Sequence, residues 1–496
     1  MILKRSFLTS IVACIFFASI TAQTNQVAYF MKIPQNHFMN PAIKPANRFY
    51  IGLPGISGIS LSAGTDFLEV TDIIMTGVKS DTIITFQDPD FDLGQLVAKL
   101  KSKNTIMMDA GIQLFGLAFP LGQNATLSFD VTDRINAKIV FPKDLLDVYI
   151  NGIDPFLNQS LNISEMNMKV QYFREYAAGI SGNVTKNLRI GARVKYLSGL
   201  GSLSFNSNSL NINVGDDYST TVHADAWVDV SGKANIQRIF TANNIAGGSG
   251  DPNFKGFAKE FLSPGKNNGL GFDFGAEYTL GKLFTLSASV TDLGYLTWKD
   301  DLKRYKANDM FMLDVISLSD VVDGNYGMDD FASRLVDTVK ANFVEVNAPG
   351  SYRTYLPTTF NAGASLNVFK VLSLGVLSST KYFAGQAKES LTLSANAYLG
   401  RVLSASASYT MANYSYNNLG FGLALKLGFA QFYVLADKIP VTWDKVYIKE
   451  DGTNNYKGYP MPTNWNMLNL QAGLNICFGK PVSKRADKPM VVEENK

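Results

Sequence analysis

The 496-residue chain has only two cysteines, Cys14 and Cys477, and two histidines, His37 and His223. So few ligating residues cannot build a zinc or iron–sulfur centre, and no H-E-x-x-H or comparable spacing occurs. A Ser–His–Asp or Cys–His constellation cannot be assembled either, so no catalytic residue and no cofactor is assigned. The acidic pairs Asp300-Asp301 and Asp329-Asp330 read as solvated loop carboxylates rather than an acid/base couple. Gly247-Gly248-Ser249-Gly250 lacks the strand–helix frame of a nucleotide site. A net charge of +3 is too small to point to nucleic acid. Beyond the first 22 residues no run of 18 apolar residues exists, which excludes a transmembrane helix. It does not exclude transmembrane strands, whose signal is alternation rather than a long apolar run.

The chain opens with Lys4 and Arg5, an apolar stretch from Phe7 to Ile20, and Thr21-Ala22-Gln23. This is the plan of a secretory signal peptide over 1–22, with cleavage expected after Ala22. Ile11-Val12-Ala13-Cys14 admits a rival lipoprotein reading, although the apolar run continues through Ile15-Phe16-Phe17. Removal of the leader leaves Cys477 alone and no possible intrachain disulfide. An exported chain then needs another source of rigidity, and a closed sheet without free edges supplies one.

Alternation is the strongest pattern present. Leu188, Ile190, Ala192, Val194 and Tyr196 alternate with Arg189, Gly191, Arg193 and Lys195. Leu391 to Leu399, Leu403 to Met411 and Leu468 to Phe478 repeat the pattern, each with one apolar and one polar face. Such stretches suit the 9–11 residues that a tilted strand needs to cross a bilayer. Tight turns near 121–123, 185–187, 280–282, 369–370, 399–401 and 427–428 separate longer loops at 65–104, 141–166, 206–267, 299–357, 383–388, 414–417 and 442–464. Short turns on one side and long loops on the other is the outer-membrane plan. The expected fold is therefore all-β: a transmembrane antiparallel β-barrel of about 14 strands over 49–478, in the bacterial outer membrane, in contact with its lipid. The strands are expected near 55–64, 105–120, 124–140, 167–183, 187–205, 268–281, 283–298, 358–369, 371–382, 389–400, 402–413, 418–427, 429–441 and 465–478. Residues 218–231 also alternate, and either extend a hairpin above the membrane or raise the count to sixteen.

Residues 23–48 contain Pro34, Pro41 and Pro45 and precede the barrel. Segments 91–101 and 328–343 have helical spacing and are expected to pack over the barrel mouth. The charged tail 479–496, with Pro481 and Pro489, reads as a disordered periplasmic extension. On the inward faces the candidate lumen charges are Asp130, Arg189, Arg193, Lys195, Asp273, Glu277 and Lys426. An ionisable residue at membrane depth must face water or a partner. These residues either pair within the lumen or, at Arg189, Arg193 and Lys195, present a basic stripe to an anionic headgroup or carboxylate. Tyr196, Trp298, Trp443 and Trp465 are expected in the interfacial aromatic girdle.

Asn40-Pro41-Ala42, just before the first strand, resembles the N-P-A element near the N-terminus of FadL-like barrels. Ser289-Val290-Thr291-Asp292-Leu293-Gly294, followed by Trp298, and Gly269-Leu270-Gly271-Phe272-Asp273-Phe274-Gly275 resemble motifs of a Bacteroidota outer-membrane β-barrel family of unassigned function. That family is similar to FadL-like transporters and to the PorV and PorQ barrels of type IX secretion. The resemblance implies fourteen strands and an N-terminal plug, with Asn40, Pro41 and Ala42 within it. It also implies a hydrophobic small-molecule ligand. The long loops 206–267 and 299–357 motivate the alternative, a platform for protein partners. An outer-membrane enzyme ranks below both.

Overall fold

In the computed structural model, alternating side chains sort to the two faces of a single closed sheet. The structure describes residues 26–479, apart from 70–71, 73, 77–82, 86–92, 123, 233–264, 282, 313–336, 339–340, 401, 413–414, 450–455 and 464. The expected signal peptide over 1–22 and the tail beyond Gly479 lie outside the described residues, as does most of the helical segment expected over 328–343.

The first strand, β1, runs over Phe49–Gly52 and resumes at Ile59–Thr65. It is followed by β2 (Lys103–Leu121), β3 (Ala125–Pro142), β4 (Asn167–Asn183), β5 (Leu188–Val214), β6 (Asn268–Leu280) and β7 (Phe284–Trp298). The second half comprises β8 (Thr358–Phe369), β9 (Leu372–Phe383), β10 (Gln386–Leu399), β11 (Leu403–Ala412), β12 (Ser415–Leu427), β13 (Ala430–Pro440) and β14 (Met467–Phe478). Each pairs antiparallel with the next, and β1 closes the ring on β14, with Tyr50 opposite Cys477 and Ile59 opposite Ala472. Fourteen strands closed on themselves leave no unpaired edge.

Burial is inverted relative to a soluble protein. Asp130, Arg193, Lys195, Asp273, Asn396 and Asn475 are buried, while Ile190, Val194, Val376, Leu393, Leu423 and Val434 on the alternate positions are exposed. Each exposed aliphatic is worth about 1.5–3 kcal/mol when removed from water. An outer face made of such residues is stable only against hydrocarbon. Among the described residues no helix is long and apolar enough to cross a membrane; strands do the crossing.

Residues 218–231 do not raise the count to sixteen. Thr220–Gly232 pairs with the upper part of β5, Gly232 opposite Gly201, and extends that hairpin beyond the wall. Ser160–Asn162 flanks it on one side, and Lys303–Ala307, Met310–Met312 and Phe343–Val346 continue the sheet on the other. Phe343 thus begins a strand rather than ending a helix. Helix α1 (Leu93–Lys99) forms where helical spacing predicts it and packs against α2 (Lys143–Asn151). This layer at one end of the ring has a core of its own, built from Val148, Leu161, Phe205, Ile212, Val222 and Ala226.

Candidate functional site: the lumen and the segment inside it

The polar face of every strand points inward, so the lumen is lined largely by serine, threonine and amide side chains. One sector differs. Leu377 of β9, Ala424 of β12 and Tyr433 and Leu435 of β13 also point inward, and Val27, Tyr29, Met31, Ile33 and Met39 pack on them. The N-terminal residues form two short 3-10 turns, Gln26–Phe30 and Pro34–Phe38. Pro34 opens the second turn at a position where no backbone donor is needed.

Polar contacts hold the same segment on all sides. The Asp437 carboxylate accepts from the Val27 amide at 3.1 Å. Gln35 Nε2 donates to Asn475 Oδ1 at 2.8 Å, to the Ser57 carbonyl at 3.0 Å and to Gln113 Oε1 at 3.1 Å. Ser57 lies in the interruption of β1 between Gly52 and Ile59, where Tyr433 also donates to its carbonyl at 2.9 Å. His37 places Nε2 2.7 Å from Asp130 Oδ2 and Nδ1 2.6 Å from the Pro34 carbonyl. The Met39 carbonyl accepts from Ser289 at 2.7 Å and Asn361 at 3.2 Å.

Asn40, Pro41 and Ala42 form a tight corner, in which Asn40 Oδ1 accepts from the Ala42 amide at 2.9 Å and Asn40 Nδ2 donates to Tyr29 at 3.0 Å. The corner rests on two wall glycines. A Cβ on Gly191 would stand 2.3 Å from the Pro41 carbonyl oxygen, and one on Gly275 would stand 2.0 Å from Asn40 Oδ1. These glycines are present because backbone must approach the wall closely. Gly275 belongs to the glycine-rich motif singled out in the sequence.

Arg193 and Lys195 centre an ion-pair network inside the β3–β7 wall. Arg193 contacts Asp273 at 2.9 Å, Asp130 at 3.3 Å and Glu175 at 3.6 Å. Lys195 contacts Asp292 at 2.5 Å, Asp273 at 2.8 Å and Glu175 at 3.5 Å. Arg134 joins Asp292 at 2.8 Å and Glu175 at 3.1 Å. The three basic residues face four carboxylates, and His37 ties the N-terminal segment to the same network. Buried ions of this kind persist only when paired and hydrogen-bonded.

Arg189 lies apart, donating to Ser181 Oγ at 2.8 Å near a short turn, opposite Glu277 on β6. The three residues of the basic stripe therefore do not act as one surface. Lys426 bonds Asn47 at the foot of the N-terminal segment.

Sequence reasoning missed Arg134, Glu175 and Asp292, and it misplaced Trp298. Arg134 and Glu175 share the inward register of their strands and were within reach of it. Asp292 was not, because β7 carries a bulge: Thr291 and Asp292 together face Asp273, and Asp292 adopts φ 60°. Its amide donates to Asp273 Oδ1 at 2.7 Å. An added residue reverses every following side chain. Trp298, expected in the outer girdle, is instead fully buried inside with Phe173, Leu197, Leu296 and Leu356. Tyr196 and Trp443 are exposed.

Cavities remain around the segment. One of about 670 Å³ opens beneath it among Lys32, Lys44, Glu277, Ser287, Lys370 and Tyr398. A smaller one of about 160 Å³ lies above Gln35, Phe38 and Met39. Among the described residues no group of three or more His, Cys, Asp and Glu side chains could hold a metal ion.

Ring closure, apolar outer face and filled polar lumen define a transmembrane β-barrel of the outer-membrane type. The chain belongs to a family of unknown function (DUF5723), whose model matches residues 41–437. No curated protein matches it by sequence. Among solved structures it is similar to a FadL homologue of Pseudomonas aeruginosa, at 11% identity over 93% of this chain and 100% of that one, with a TM-score of 0.43. It is also similar to the toluene transporter TodX of Pseudomonas putida, at 10% identity over 93% and 99% of the two chains, with a TM-score of 0.41.

Proposed function

We propose that this chain is a bacterial outer-membrane protein that binds or passes small hydrophobic molecules, with residues 23–48 serving as a plug. On this reading residues 1–22 are a cleaved signal peptide, 49–478 the barrel and 479–496 a periplasmic tail. The observation that carries it is the apolar strip of Leu377, Ala424, Tyr433 and Leu435, which the N-terminal segment covers, on a wall lined largely by polar groups. The strip is covered by Val27 and Met31, so an apolar ligand that took their place would replace like with like. Tyr433 also borders the interruption of β1 at 53–58, held by its bond to the Ser57 carbonyl. That interruption is the sideways exit toward lipid in a FadL-like route, and Gln35 latches it.

Replacement of Gln35 by leucine removes the bonds to Asn475, Ser57 and Gln113; Ser57 keeps its bond from Tyr433, while the buried side-chain oxygens of Asn475 and Gln113 lose theirs, at about 1–3 kcal/mol each. Uptake of an apolar fluorescent dye by intact cells is expected to rise. A folded Gln35→Leu barrel with unchanged uptake counts against the plug.

The extracellular layer favours a second reading, a platform for protein partners. The strands Thr220–Gly232, Lys303–Ala307 and Phe343–Val346 and their separate core are more structure than a bare pore requires. Trimming 206–267 and 299–357 without loss of any co-purifying partner would sink that reading.

A further inference from the structure

The extracellular end of the lumen holds a second closure. In a ring of fourteen strands β9 and β2 stand seven places apart (9 − 2), directly opposite one another. A round barrel of fourteen strands spaced about 4.8 Å and tilted about 40° would be roughly 28 Å across. A lysine and an aspartate joined by an ion pair span roughly 12 Å of bonds. Lys381 of β9 nevertheless pairs with Asp109 of β2. The wall is therefore drawn inward at this level.

The crossing is made by the β9–β10 hairpin. It reverses tightly within Phe383-Ala384-Gly385-Gln386, with φ 47° at Ala384 and 82° at Gly385. Lys138 of β3 donates to the Ala384 carbonyl at 2.8 Å, and Lys388 lies 3.8 Å from Asp66 just past β1. Asp109 is steadied from behind by Asn136, which in turn accepts from Gln171 at 3.2 Å. Three ties thus link one hairpin to the opposite wall. The cavity of about 160 Å³ lies between this crossing and Gln35, Phe38 and Met39 below.

We propose that the Asp109–Lys381 crossing is an extracellular gate in series with the N-terminal segment, so that the chamber between them is sealed from water-soluble solutes on both sides. The lower boundary rests on the plug proposed above; the upper one does not.

The test uses the full chain in the outer membrane. Ser60→Cys places a thiol in the chamber, and the native Cys477 is buried. A cationic methanethiosulfonate added from outside is expected to modify Ser60→Cys slowly. With Asp109→Asn and Lys381→Gln added, the rate is expected to rise at least tenfold, and the exchanged pair Asp109→Lys with Lys381→Asp should restore slow modification. Fast modification with the native pair in place, or no gain on neutralising it, overturns the gate. Should the double neutralisation prevent folding, judged by heat-modifiable migration, Lys381→Gln alone carries the same expectation and the same refutation. A failed plug would show separately, as Gln35→Leu without effect on dye uptake while the thiol rates behave as expected.

Discussion

Replacing Gly191 by alanine should dislodge the N-terminal segment without touching any residue of that segment. The new methyl would stand 2.3 Å from the Pro41 carbonyl oxygen, 2.4 Å from its carbon and 2.7 Å from the Ala42 nitrogen. All three are backbone atoms, so no side-chain rotation relieves the clash; either β5 or the Asn40-Pro41-Ala42 corner must move. The strand is tied by long ladders to β4 and β6, whereas the corner is held by a few side-chain bonds. The corner yields. Overpacking of this kind costs about 1–3 kcal/mol, and at tenfold per 1.4 kcal/mol the displaced population should rise roughly 5- to 150-fold. Hydrogen exchange read by mass spectrometry on residues 29–46 should show that increase, with the barrel strands unaffected. Gly350→Ala is the control, since nothing lies within 4 Å of the added carbon and the backbone there is not left-handed. Equal exchange in the Gly191→Ala and control barrels, both folded, would refute the claim that close backbone contact seats the segment.

Val376→Arg puts a charge on the lipid face of β9 and should cost about 2–4 kcal/mol at the midplane; denaturant unfolding in bilayers would read it, and an unchanged midpoint would deny that this face meets lipid. Arg193→Met leaves Asp130 with only His37 and Gln113, and Asp273 and Glu175 with only Lys195 and Arg134 as cations. Breaking such buried pairs is expected to lower stability by about 3–5 kcal/mol, visible as an earlier urea transition. Trp298→Ala should destabilise the folded barrel by about 3–5 kcal/mol if the side chain fills the interior; an effect near zero would return it to the outer girdle.

The ring itself was legible because a lipid-facing strand leaves a two-residue period that survives over many residues, as at 188–196 and 391–399. Loop and turn lengths then set the count, and the fourteen strands read from alternation are the fourteen observed. The site was legible only where register stayed regular. Arg193, Lys195, Asp130 and Asp273 fall on the inward face that alternation assigns them. Asp292 and Trp298 do not, since one bulge at Thr291-Asp292 reverses the faces beyond it and carries no local compositional mark. The interruption at 53–58 was similarly invisible: the strand expected near 55–64 runs into it, whereas the backbone there leaves the regular ladder and keeps only isolated bonds to Gln113 and Leu474. The apolar strip was not read either. Leu377, Tyr433 and Leu435 look like lapses in a polar face until the segment they receive is known.

The packing of residues 26–48 also bears on the order in which the chain comes together. This stretch precedes β1, yet it touches β13 at Asp437 and β14 at Asn475, the last two strands in chain order. The seam that closes the ring is the one between β1 and β14, with Phe49 opposite Phe478. The first described residues of the chain and its last two strands are therefore neighbours, and the contacts of Val27 and Gln35 can form only once β13 and β14 are made. A substitution that loosens Val27 or Gln35 acts on contacts that unite the two ends of the barrel sequence across its closing seam.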